Sequence, residues 1–181
     1  MHEREIRAMD YTEKTLNVKK IYNGKILDLE EVEVLLPDGK SSKREIVRHN
    51  GAVAVIAYKD ADTVLFVEQY RKAVEKVLLE IPAGKIEKGE DVMLCAMREL
   101  EEETGYKSDN LTYLGKIVAS PGFCDEYIHI FKAEQLYPGD GTLGDEDEFI
   151  GLREVKAGDV KGMIRDGSIE DAKTICAFMM A

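Results

Sequence analysis

An α+β fold, with one central helix set among many strands, is what this sequence predicts. Apolar runs of strand length recur along most of the chain, bounded by Gly, Pro, Asp or Asn clusters, while one internal segment carries helical periodicity between two glycines. Strands in bulk with a helix between them point to α+β rather than to regular βαβ winding. At 181 residues the chain suits one domain with a small N-terminal extension, and is long enough to bury a sizeable core.

The elements follow in order. After a polar start, residues 16–22 and 27–36 have strand character, the second with partial alternation. Pro37-Asp38-Gly39-Lys40 reads as a turn and residues 44–48 return, making a hairpin. Residues 51–58 and 64–70 are β-rich runs joined at Asp60-Ala-Asp-Thr, a second hairpin. A short strand at 78–81 leads through a loop into the helix, and 111–119, 127–133 and 149–155 are further strands. Two short helices, 159–165 and 171–180, close the chain, with Ser168 and Asp171 as a variant capping box for the last.

Composition narrows the function. A net charge of −11 argues against nucleic-acid or anionic-membrane partners, which select basic patches. Cys95, Cys124 and Cys176 are odd in number and lack metal-type spacing, so a reduced cytoplasmic protein is expected rather than a disulfide scaffold. The N-terminus lacks the apolar core of a signal peptide, and no apolar run approaches membrane-spanning length. His2, His49 and His129 do not cluster, and structural roles are expected for each; the acidic run at 144–148 reads as a solvated loop. Phe178, Met179 and Met180 read as packing or interface residues.

The helical segment carries the chemistry. Glu99, Glu102 and Glu103 share a face because i, i+3 and i+4 are neighbours at ~3.6 residues per turn. Val92, Cys95 and Ala96 lie on the same stripe, so the inward face starts apolar and ends in carboxylates, while Glu90, Asp91, Leu94, Arg98 and Glu101 take the other side. Carboxylates on an inward stripe are costly unless paired or bound to metal. Magnesium favours such oxygens and keeps waters that can become nucleophiles. Arg98 is placed to orient one of the carboxylates. Pro82-Ala83-Gly84 breaks the preceding strand, Gly84 admits a close backbone approach, and Gly105 fits a left-handed helix cap.

Gly84, Glu90, Arg98, Glu99, Leu100, Glu102, Glu103 and Gly105 stand at the spacing of the Nudix box, which this segment resembles; Tyr106 departs from the usual aliphatic residue after the last glycine. The resemblance implies an α/β/α sandwich on a mixed β-sheet, hydrolysis of a nucleoside diphosphate linked to another group, and a metal set of Glu99, Glu102, Glu103 and the Ala83 carbonyl. Downstream, Ser120-Pro121-Gly122-Phe123-Cys124-Asp125-Glu126 places Pro121 sixteen positions after Gly105, which resembles the ADP-ribose pyrophosphatase branch. Lys43-Arg44-Glu-Ile-Val-Arg48-His49, Glu68-Gln69-Tyr70-Arg71, Glu80-Ile81-Pro82-Ala83-Gly84 and a less specific Asp171-Ala-Lys-Thr174 agree with that branch.

Membership there implies Mg²⁺-dependent cleavage of ADP-ribose to AMP and ribose 5-phosphate, with Mn²⁺ as a substitute. It implies Glu126 on a mobile loop as general base, with Glu102 next in line and Arg98 in the catalytic set. Arg71, Glu80, Gly84 and Pro121 become substrate contacts by position. Arg44 either contacts the nucleotide or forms a surface ion pair with a neighbouring Glu. Residues 1–49 would form a separate β-sheet that exchanges strands across a homodimer, with 22–29 of a partner subunit near the adenine, and 50–181 the catalytic domain. Hydrolysis of another sugar nucleotide, such as ADP-glucose or GDP-mannose, and non-catalytic sensing of ADP-ribose stay open as alternatives.

Overall fold

A computed structural model describes residues 10–140 and 149–181; His2 and the acidic run at 144–148 lie outside them. The chain divides into two compact units, one taking in the chain to His49 with Ser120–Asp125, the other Asn50–Ala119 with Glu126–Ala181.

In the first unit, β1 (Lys14–Asn23), β2 (Asp28–Leu35) and β3 (Ser41–Arg48) form an antiparallel sheet in that order. The β2–β3 turn closes as its residues dictate. Asp38 Oδ1 accepts the Lys40 N–H at 3.0 Å, and Gly39 adopts φ 84°, a conformation glycine takes without a Cβ penalty. Val32 and Val34 are buried, whereas β1 is exposed along its whole length, including Leu16, Val18 and Tyr22. The Ser-Pro-Gly loop is fastened by hydrogen bonds to the end of β3 and the residue after it. The Val47 N–H donates to the Phe123 carbonyl at 2.7 Å, the Asp125 N–H to the Val47 carbonyl at 3.2 Å, and Asp125 accepts from the His49 N–H and Arg48.

The second unit contains β4 (Ala52–Tyr58), β5 (Thr63–Arg71), β6 (Lys76–Glu80), β7 (Ala83–Lys85), α1 (Val92–Thr104), β8 (Tyr106–Lys107), β9 (Asn110–Val118), β10 (Tyr127–Glu134), β11 (Tyr137–Pro138), β12 (Ile150–Lys156), α2 (Val160–Arg165) and α3 (Ala172–Met180). Its main sheet has seven strands in the order β12-β5-β4-β10-β9, with β6 beside β5 and β7 beside β4. β4 and β10 run parallel and the other pairs antiparallel, so the sheet is mixed.

Alternation along β4 builds both cores. Ala52, Ala54 and Ile56 pack with Val64, Phe66, Val160, Ile169 and Ala177 on the face covered by α2 and α3. Val53, Val55 and Ala57 pack with Leu65, Cys95, Ala96 and Leu100 of α1 on the other. A strand buried on both faces reads as a continuous apolar run, which is why Ala-Val-Ala-Val-Ile-Ala is unbroken. The fold is the expected α/β/α sandwich. Phe178 packs, stacking on Phe66 with centroids 5.8 Å apart, while Met179 is exposed.

Three expectations change. Pro82-Ala83-Gly84 does not lead into a plain loop. Ala83 opens β7, a short strand invisible to propensity because Ala, Gly and Lys are poor strand formers. β8 and β11, two residues each, pair with one another and are too short to leave a periodic signal. Ser168 takes no part in capping α3. Its N–H donates to Asp166, and Asp171 caps the helix alone by accepting the Thr174 N–H at 2.9 Å.

Candidate active site

α1 is delivered to its place by its own ends. Asp91 Oδ1 accepts from the Met93 and Leu94 N–H groups at 2.9 and 3.1 Å, satisfying two orphan donors at the start. Gly105, at φ 72°, donates to the Glu101 carbonyl at 2.8 Å and stops the helix one residue after Thr104. The last turn therefore carries Glu99 and Glu103 on the buried stripe, 9% and 8% exposed, below Cys95 and Ala96. Glu102 lies at the edge of that stripe, its side chain 39% exposed.

The acids meet β7. Glu103 Oε2 accepts the Ala83 N–H at 2.9 Å. The Glu99 carboxylate lies where a Cβ on Gly84 would stand, with Cδ 1.9 Å from that position. Any side chain at 84 would occupy the space the carboxylate fills, so glycine here is a requirement of close approach.

Arg98 does not stay on the outer face. Its long stem folds back so that Nε and Nη2 bind Glu90 at 2.9 and 3.1 Å, and Nη1 binds Glu99 and Glu102 at 2.8 Å each. It holds three carboxylates, two of them on α1, where the helix spacing suggested one. The Glu90 hydrogen bond is the first cause raising the guanidinium pKa, and Arg98 in turn holds Glu90 down at about 2. Burial, followed by Glu90, pushes the Cys95 thiol up to about 12, so it is an inert packing group.

Arg71 and Glu80 form a second charged unit. Glu80, 1% exposed, accepts from Arg71 Nε and Nη2 at 2.8 and 2.7 Å and also from Lys173. Burial alone would raise the Glu80 carboxyl, but the Arg71 hydrogen bond and Lys173 hold it below its ordinary value. A carboxylate so enclosed holds the Arg71 fork in place. Arg44 makes the ion pair that was its other reading, binding Glu13 through Nε at 3.0 Å and Nη2 at 2.5 Å. Pro121 is exposed in the fastened loop.

Strand register places Glu126. Ala52 pairs with Ile128 on one side and Lys85 on the other, so Glu126, two residues before Ile128, lies at the end of β4 where β7 meets the helix face. Its carbonyl accepts the Ala119 N–H at 3.2 Å. Residues 47–178 match the family described as NUDIX domain.

The chain belongs to the Nudix family.

Its relatives are similar over nearly the whole length. A methanol dehydrogenase activator of Bacillus methanolicus is 47% identical, covering 92% of this chain and 91% of its own. An ADP-ribose pyrophosphatase of Bacillus subtilis strain 168 is also 47% identical, over 91% and 90%. A GDP-mannose pyrophosphatase of Yersinia enterocolitica is 34% identical over 81% and 83%. A crystal structure of an ADP compounds hydrolase superposes with a TM-score of 0.83 at 25% identity, covering 93% of this chain and 91% of that one.

A divalent cation fits this Nudix helix by donor chemistry. Hard carboxylate oxygens stand beside a backbone from which a Cβ is missing. Among the described residues no three carboxylate, imidazole or thiolate groups form a ready-made cage. Small hard cations need none, since they keep several waters and bind through one or two carboxylates plus substrate phosphates. Sequence reasoning missed Lys173 and Thr174 as parts of the site's support; the signal was the short Asp171-Ala-Lys-Thr174 run.

Proposed function

We propose that this Nudix hydrolase cleaves the diphosphate bond of ADP-ribose to give AMP and ribose 5-phosphate, with Mg²⁺ as cofactor and Mn²⁺ as a substitute. The observation that carries this reading is the pair of buried carboxylates, Glu99 and Glu103, packed on the Ala83-Gly84 backbone. The 47% identity to an ADP-ribose pyrophosphatase supports the substrate.

Glu99 and Glu103, with Glu102 and the Ala83 carbonyl completing the set, would hold the ions. Once bound, these neutralise the diphosphate and acidify a water. Arg98 keeps Glu99 and Glu102 oriented from behind. Arg71, with its Nε edge fixed on Glu80, offers the rest of its fork to a phosphate oxygen. Glu126 takes the proton of the attacking water, whose oxygen ends on one phosphorus while the bridging oxygen leaves with the other. Arg44 and Pro121 contact the nucleotide; Arg44 then exchanges Glu13 for the ligand.

Residues 1–49 act as the dimerisation element of a homodimer, a role supported by the exposed Leu16, Val18, Ile21 and Tyr22 of β1. Residues 22–29 supply contacts to the adenine across that dimer. Free thiols at Cys95, Cys124 and Cys176 support a cytoplasmic location, and no helix among the described residues is long and apolar enough to cross a membrane. The likeness to GDP-mannose pyrophosphatases favours one second reading, hydrolysis of a different nucleotide sugar. Comparing kcat/KM for ADP-ribose, ADP-glucose and GDP-mannose separates the two. ADP-ribose should lead by about tenfold or more, and a higher value for either competitor replaces the substrate.

A further inference from the structure

The end of β6 carries a buried charge cluster whose second half comes from α3, an element with no part in the chemistry above. Lys173, 11% exposed, donates to Glu80 Oε2, the same oxygen that Arg71 Nη2 reaches at 2.7 Å. Lys173 Nζ also lies 3.1 Å from Asp171 Oδ1. Thr174 is fully buried. Its Oγ1 accepts the Ile81 N–H at 2.9 Å and donates to Asp171 Oδ2 at 2.6 Å. The start of α3 is thereby tied to the residue before Pro82-Ala83-Gly84. Among the described residues, Arg71 Nη1 makes no hydrogen bond, although Nε and Nη2 are both engaged.

We propose that Lys173 is a positioning residue for Arg71 in diphosphate recognition, a role that rests on the reading of Arg71 as a diphosphate contact. Arg71 lies within electrostatic reach of Glu80, Glu103 and Asp171. With Lys173 present, a second cation shares Glu80 and answers Asp171. Without it, Arg71 is the cation left to these carboxylates and is drawn inward, away from an incoming phosphate. Lys173 also pins the Glu80 rotamer that sets the direction of the Arg71 fork. The side chain is too enclosed to meet substrate itself, so its effect passes through Arg71.

Steady-state kinetics of Lys173→Met and Lys173→Arg, each alone and with Arg71→Ala, test this. Lys173→Met should raise KM for ADP-ribose about tenfold and leave kcat within about threefold, while Lys173→Arg stays near wild type. With Arg71 already removed, Lys173→Met should change KM less than about twofold, because the two residues act as one unit. An equal rise in KM in both backgrounds, a change in kcat alone, or an unchanged KM overturns the proposal. Lys173→Gln, which keeps a donor but no charge, gives the same reading if the Met variant does not fold. A wild-type enzyme that releases no AMP would instead overturn the function. Calorimetric titration with inorganic pyrophosphate then decides for Lys173: weaker binding by the variant upholds the role, and equal binding removes it.

Discussion

Gly84 and Glu99 are the pair on which the site turns. An alanine methyl at 84 would stand about where the Glu99 carboxyl carbon lies, 1.9 Å away, and the atom that must yield is the tip of a flexible side chain. Gly84→Ala should therefore cost less than about 1 kcal/mol of stability yet lower activity at least about tenfold, seen as a preserved melting temperature beside a reduced rate. Glu126→Gln should cut kcat about a hundredfold while metal affinity, followed by calorimetry, stays nearly unchanged. Unchanged turnover would pass the base to Glu102. Glu99 and Glu103 were legible because helical spacing alone puts them on the stripe of Cys95 and Ala96. Arg98 was legible in part. A helical wheel gives the direction of a Cα–Cβ bond, not where a long guanidinium stem folds. The bond from Lys173 to Glu80 was not legible, because the two residues lie 93 positions apart.

The helix α1 depends on an acid just before its own start. Glu90 precedes the Asp91 cap and binds Arg98 two turns on, with its carboxyl depressed from 4.5 to about 2 by that hydrogen bond first. A folded-state value below the unfolded one means stabilisation that is complete above about pH 4.5 and lost as pH falls towards 2. Melting temperatures of wild type and Glu90→Gln should differ at neutral pH and converge across that window. A constant gap down to pH 2 would show that the charge on Glu90 contributes nothing. Both ends of α1 differ in legibility. Gly105 announced the C-terminus, whereas Asp91 as the cap lay hidden among acids that all look surface-like. β7 escaped because three residues without β-branching acquire strand form only from pairing with β4.

At the scale of the molecule, the mixed sheet sorts β4 side chains between α1 on one face and α2 with α3 on the other. Hairpins such as β2–β3 were legible because their turn chemistry is local. The parallel β4–β10 pairing was not, since it joins Ala52 to Ile128 and nothing in either strand names its partner. That pairing is what brings Glu126 to the β7 end of the sheet, so the proposed base and the acids proposed to hold metal are connected by topology rather than by motif. The most direct measurement is chromatography of the products after incubation with ADP-ribose and Mg²⁺, with and without EDTA. Equimolar AMP and ribose 5-phosphate, lost on chelation, is the predicted result. Intact ADP-ribose in the presence of the metal, or equal AMP release with EDTA, would contradict a metal-dependent diphosphatase built on Glu99 and Glu103.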